Sequence, residues 1–418
     1  MINKSLKNLL YTDEERKGVK LKKIVLLTTL SSLLFANNLE ILNKDKKEQR
    51  VLEKTILETN YENLKNDWIS PINLGAGVSR SHSFSDEDDQ FTKSISLGFT
   101  QSIYKSGGIE FTIQYAKDKL KSDLLSWETQ NNTIYQSIYE IILNITKLNL
   151  EIEQSSYLLQ NKEIELVLKK IQYEAGQTDI TELNDAIMSK NTQYKTNINL
   201  QNSLKEQEYE LAKYTDLKYQ EIEILDFQKI SKDEYLEQNI QLMYEESLVD
   251  VLNSSYEKLK SGYLPNISIS SSIAHSNRED LTNDETTDGT SGSVSLNFSM
   301  PLYDFNKTTQ VSKSKLEVLE QKVNIETIKH EIARDFDVTL TKVNTYEKYN
   351  EIIKDNLKLY DELISVNDAS NKAGMTSSYD LEILQNTRKI NKYDLAINNI
   401  NIQQEYAKLY FNTKKGTK

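Results

Sequence analysis

The sequence predicts an α+β membrane protein in which long antiparallel α-helices carry four short β-strands. Three observations lead there. Helix breakers are scarce: 418 residues contain 12 glycines and three prolines, well below average usage. Four segments alternate polar and apolar residues with period two. "AGQTDITEL" at 175–183 and "AGMTSSYDL" at 373–381 repeat one pattern 198 positions apart.

The composition bounds the function. Hydrophobic residues make up 38%, charged residues 27%, and the formal net charge is −12. A nucleic-acid partner is not expected, because that needs a basic footprint. There is no cysteine, so disulfides, thiol chemistry and cysteine metal sites are excluded.

At the N-terminus, "KLKKIVLLTTLSSLLFANN" (20–38) has a basic start, an apolar run over 24–35 and a small residue at Ala36. That order predicts a signal peptide, 1–36, and export. Its apolar run is shorter than the ~20 residues of a membrane-spanning helix. Residues 1–19 are either a long leading region or sequence upstream of a true start near Val19. No other stretch reaches the length of a membrane-spanning helix, so the mature chain is either soluble outside the cytoplasm or enters a membrane as strands.

The remainder divides into two halves of the same plan: 37–214, a connector at 215–235, and 236–415. Each half begins with a helical segment, about 38–66 and about 236–261. Each then reaches a proline that opens an extended run, 70–79 and 264–276. Acidic segments at 84–91 and 277–290 read as solvated loops, and second extended runs follow at 92–108 and 292–306. In the strands, Leu74, Ala76 and Val78, then Ile95, Leu97 and Phe99, oppose Ser, Gly, Asn and Thr. Ile267, Ile269 and Ile273, then Val294, Leu296 and Phe298, do the same. One face is apolar; the other carries the small polar residues that suit a water-filled interior. A hairpin packed on helices in solution is the plainer alternative. Four strands are too few to close a barrel, which needs about eight, and an open sheet leaves unpaired backbone groups in lipid. Membrane strands would therefore be shared among several chains.

The segments between are helical. Ile134, Ile138, Ile141, Ile145, Leu148 and Ile152 form a coiled-coil seam, and Ile325, Ile328, Ile332, Phe336, Leu340 and Val343 form a similar stripe. The 67 residues of 109–175 would extend about 100 Å, too long for a globular domain. Gly176 and Gly374 supply the left-handed position that ends each long helix. Asp179 with Glu182, and Ser377 with Asp380, have the spacing of capping boxes that begin the next. Both motifs are therefore hairpin tips.

Taken together, the doubled helix–strand–strand–helix–helix plan, "PLYD" at 301–304 with "QSIY" at 101–104, and both glycine tips resemble the TolC-like outer-membrane efflux protein family over about 38–415. The resemblance implies a homotrimer that closes one 12-stranded barrel above an α-helical coiled-coil barrel, in the outer membrane of a Gram-negative bacterium. It implies outer-membrane lipid around the barrel, and docking of a periplasmic adaptor and inner-membrane pump at the tips. The tip residues carry over to Ala175, Gly176, Gln177, Thr178, Ala373, Gly374, Met375 and Thr376. Acidic residues ringing a periplasmic aperture carry over to Glu182 and Asp380, which could equally serve only as helix caps. Thr376 stands where some members have a latching arginine.

No enzyme, cofactor or metal is expected. His82, His275 and His330 make no catalytic or zinc spacing, although His82 and His275 follow the first and third strands at equivalent distances. The expected function is a passive exit duct for efflux or type I secretion. The rival is an exported trimeric coiled-coil stalk or adhesin without a channel.

Overall fold

The computed structural model describes residues 39–85 and 88–417; the expected signal peptide lies outside the described residues. In chain order the elements are α1 (Lys44–Lys65), β1 (Asn73–Ser83), β2 (Asp88–Tyr104), α2 (Gly108–Glu174), α3 (Ile180–Ala212), α4 (Lys232–Gln238), α5 (Ile240–Ser261), β3 (Asn266–Asp280), β4 (Glu285–Ser299), α6 (Lys307–Lys372) and α7 (Ser378–Phe411). The two halves thus repeat one order, with α2 and α6 at 67 and 66 residues. At 1.5 Å per residue each runs about 100 Å. No described helix is long and apolar enough to cross a membrane.

The four strands form one antiparallel sheet in the order β1-β2-β3-β4. They run further outward than the alternation predicts. The acidic segments at 277–280 and 285–290 are strand, not loop, and the turn between them is confined to 281–284. Aspartate and asparagine are poor strand formers alone, but here cross-strand partners hold them. Lys93 reaches Glu279 at 3.0 Å, Arg80 pairs with Asp89, and His275 Nε2 meets Asp288 at 3.1 Å. Inward the strands stop earlier than expected. The ladder ends at Tyr104 and at Ser299, two residues before Pro301, so "PLYD" is a loop and "QSIY" a strand end.

Helix α2 is central. It packs against α1 and α5 near the sheet and against α3 and α7 further away, while α6 lies on α5 and then α7. Burial on α2 is therefore wider than one seam: Tyr135, Tyr139, Ile142 and Leu143 are buried along with Ile138 and Ile145. On α6 the narrower stripe holds, with Ile332, Phe336 and Val343 buried. The densest core lies at mid-length, where the connector wraps. There Phe227 packs its ring against Tyr139, Tyr410 and Phe411 at 5.4–5.8 Å.

Short helices α1 and α5 stand end to end on the returning helices α3 and α7, and an asparagine forms each joint. Asn43 caps α1 by accepting from Lys46 N, and its own N–H donates to Tyr214 O at 2.8 Å beyond α3. Asn239 caps α5 by accepting from Gln241 N and Leu242 N at 3.1 Å. Ile240 N then donates to Asn412 O at 3.0 Å at the end of α7. The side chain thus satisfies the start of one helix while the backbone satisfies the end of the other. Asn239 is only 2% exposed. Replacing Asn239 with alanine should destabilise the fold by about 1–2 kcal/mol, measured by denaturant unfolding; an unchanged midpoint would contradict the joint.

Candidate functional site

Both hairpin tips are built by the same backbone geometry. Gly176 and Gly374 have φ of +70° and +73°. Gly176 N donates to Tyr173 O at 3.0 Å and Gln177 N to Gln172 O at 2.8 Å. At the second tip Gly374 N donates to Asn371 O and Met375 N to Ser370 O, both at 2.9 Å. This paired closure satisfies the last carbonyls of each long helix, and it needs a residue that tolerates positive φ. A side chain at either glycine would meet nothing within 4 Å, so backbone conformation alone demands glycine.

Helices α3 and α7 then start from Asp179 and Ser377, but neither start is a full capping box. Asp179 accepts from Glu182 N at 3.0 Å. The Glu182 carboxylate does not return to the cap; it pairs across the hairpin with Lys169 and accepts from Thr178 Oγ1 at 2.7 Å. Lys169 is the stronger partner for a carboxylate in this exposed setting, because its bond is charge-assisted. Its hydrogen bond, then that of Thr178, holds the Glu182 carboxyl below the usual range. Ser377 accepts from Tyr379 N at 3.1 Å, and Asp380 is exposed without a side-chain hydrogen bond among the described residues. Thr376 turns inward to Asn367 Oδ1 at 3.2 Å, while Asn371 donates to Thr376 O at 3.0 Å. Met375 is 80% exposed.

The tips therefore present Ala175, Gly176, Gln177, Ala373, Gly374 and Met375 to solvent, with Thr178 and Thr376 half-buried as braces. The two acidic positions differ: Glu182 is neutralised within its own hairpin and Asp380 is not. Lys169 was not singled out by the sequence, although it and Glu182 lie at nearly equal distances on either side of Gly176. The asparagine joints could have been found as N-cap residues recurring 196 positions apart.

At the other end the sheet is two-faced. The pairing puts Leu74, Leu97 and Ile273 in one row and Ile269 with Leu296 in another. On that face Leu74, Val78, Ile95, Ile273, Val294, Leu296 and Phe298 are exposed, with no described helix covering them. The opposite face carries only Ser, Gly, Asn, Thr and Ala over 73–79, 94–102, 268–276 and 289–299. It is knit by Ser272–Ser293 at 2.9 Å, Asn297 to Ser270 at 2.8 Å and Thr100–Ser270 at 3.1 Å. His82 and His275 lie within β1 and β3 rather than beyond them; His82 stacks edge-on against Phe84, and His275 is bound to Thr290 and Asp288. Among the described residues no cluster could hold a metal ion.

Neither layer is closed. The sheet ends at β1 and β4, and the helical layer ends at α1 and α3 on one side and α6 on the other. These outer helices carry exposed apolar residues at heptad spacing. On α6 they are Tyr349, Ile352, Leu359, Leu363 and Val366; on α3 they are Ile180, Ile187 and Tyr194. Such spacing is that of a coiled-coil seam.

Against known proteins, residues 232–411 match the family model of the outer membrane efflux proteins. No curated protein matches significantly by sequence. Solved structures share the fold over nearly the whole chain. VceC of Vibrio cholerae is 11% identical, covering 89% of this chain and 94% of its own, with a TM-score of 0.69. The CmeC outer membrane channel of Campylobacter jejuni is 14% identical over 91% and 84%, at 0.68. The open MtrE outer membrane channel of Neisseria gonorrhoeae is 14% identical over 88% and 85%, at 0.63. The resemblance seen in the tips and junctions thus extends to a family model for the second half and to the fold of the rest.

Gly176→Ala should cost about 1 kcal/mol of local stability and Gly176→Asn less, because only the left-handed angle is at stake. Faster hydrogen exchange at amides 177–183 would report it; equal exchange in all three proteins contradicts the assignment.

Proposed function

We propose that this chain, a relative of the TolC-like outer-membrane efflux proteins, is the outer-membrane exit duct of a tripartite efflux or type I secretion system. One observation carries the reading: both layers stop at open edges, and each edge needs a partner of the same kind. β4 and β1 can continue one antiparallel ladder only through another copy. The apolar seam of α6 similarly fits the seam of α3 on the next. Joining copies head to tail in this way makes a ring, and closure removes every unpaired strand edge from lipid. The family resemblance supplies the number three, giving twelve strands.

In such a ring the uncovered apolar face meets outer-membrane lipid, and the serine- and glycine-rich face lines a water-filled bore. The duct is passive, and transport energy comes from an attached inner-membrane pump. Asp380 is the better candidate for the carboxylate ring at the aperture, since Glu182 is already paired with Lys169. Repeated carboxylates in a narrow passage favour cations. The tip residues would receive the periplasmic adaptor.

Purified mature protein should migrate as a trimer on native gels and give single-channel conductance in planar bilayers. A stalk or adhesin gives no conductance. Asp380→Asn should move the reversal potential in a salt gradient toward zero, with Glu182→Gln doing much less; equal effects would overturn the distinction between the two carboxylates. Gly176→Pro forbids the φ of +70° and deletes the bond from Gly176 N to Tyr173 O. It should weaken adaptor capture at least tenfold while the trimer persists, and disassembly instead would count against the tip as the docking site.

A further inference from the structure

The loop between β4 and α6 is the most exposed apolar element of the described structure. Leu302, Tyr303 and Phe305 are 92%, 84% and 83% exposed. The corresponding loop in the first half, between β2 and α2, is better covered: Tyr104, the counterpart of Tyr303, is 51% exposed and the residues after it are half-buried. Ser106 Oγ donates to Pro265 O at 2.7 Å, Gly108 lies against Ser261, and Tyr104 pairs with Ile267. That junction is therefore seated on the segment that leads into the neighbouring strand β3.

The halves correspond closely at this point. Tyr104 lies 72 residues before Gly176 and Tyr303 lies 71 before Gly374, and each is followed within four residues by a long helix. The contact between the halves is thus a template for what the second junction lacks. The strand that would follow β4 in the ladder must run antiparallel to it, as β3 does to β2. β1 is the open strand of that direction, and its first residue, Asn73, is at the same end as Ser299. The segment leading into β1 is also uncovered: Ile69 and Ile72 are exposed, beside a half-buried Trp68. Within one chain these two segments sit on opposite edges, three strand spacings or about 14 Å apart.

We infer that the Pro301–Phe305 loop of one copy docks on the Trp68–Ile72 segment of the next. It forms an apolar clasp that closes the ring at the inner margin of the sheet. The inference rests on the ring proposed above and names the surface that seals it. The geometry is the first-half junction repeated between chains, with Leu302, Tyr303 and Phe305 supplying apolar contact where the first half uses Ser106. Burying aromatic and leucine side chains in this way removes from water the largest exposed group of its kind outside the strands.

The absence of cysteine makes the test direct. Tyr303→Cys is combined in turn with Ile69→Cys and with Ile72→Cys, and the assembled protein is oxidised in micelles. A reducible ladder ending at the trimer, absent from the single-cysteine proteins, is the expected result, since a disulfide needs Cα atoms within about 7 Å. As a second readout, bimane on Tyr303→Cys should be quenched by Trp68 and recover on Trp68→Phe. A trimer on native gels with neither cross-link nor Trp68-dependent quenching overturns the clasp and leaves the loop to lipid. An unmodified chain that never assembles overturns the duct itself, so the two failures are distinguishable.

Discussion

Everything in this molecule depends on the fact that neither of its layers closes on itself. A sheet edge presents a row of unpaired N–H and C=O groups, and an apolar helix seam presents surface that water disfavours. Here both kinds of edge occur at both sides of one chain. Among the described residues, the sheet has an apolar face with nothing packed on it. A partner of the same shape resolves all of these demands together, and a foreign partner would have to satisfy each separately.

A rod of about 100 Å must be kept straight and then reversed. Continuity comes from withholding glycine and proline from the interiors of α2 and α6, since either would open the hydrogen-bond ladder. Reversal comes from one left-handed glycine per half. The returning strand of each hairpin is broken near mid-length, where α3 meets α1 and α7 meets α5. Asn43 bridges the first break by serving two helix ends at once, and at the second Asn239 caps α5 while the adjacent Ile240 N bonds the end of α7. The aromatic core around Phe227 lies at the same level, so the weakest points of the backbone ladder coincide with the densest packing.

Charge is distributed with equal economy. The polar sheet face carries no ionised side chain through the apolar zone, while the outward ends of the strands hold their carboxylates in cross-strand pairs. At the far end one tip neutralises its carboxylate through Lys169 and the other leaves Asp380 bare.

The sequence alone determined the periodicities: strands with one small polar face, long helices without breakers, and reversals at Gly176 and Gly374. Those are local properties, fixed by backbone sterics and by which residues recur at two or 3.6 positions. The resemblance to a family was legible for the same reason, because it rests on matched spacings. Only the tertiary structure decided how far the strands run, since Glu279 and Asp288 become strand residues through partners on other strands. It also decided that Glu182 faces Lys169 rather than its own helix cap, that the histidines sit inside the sheet, and that α2 is buried on more than one side. Each of these outcomes depends on residues distant in the chain, and no local pattern encodes which distant group will arrive.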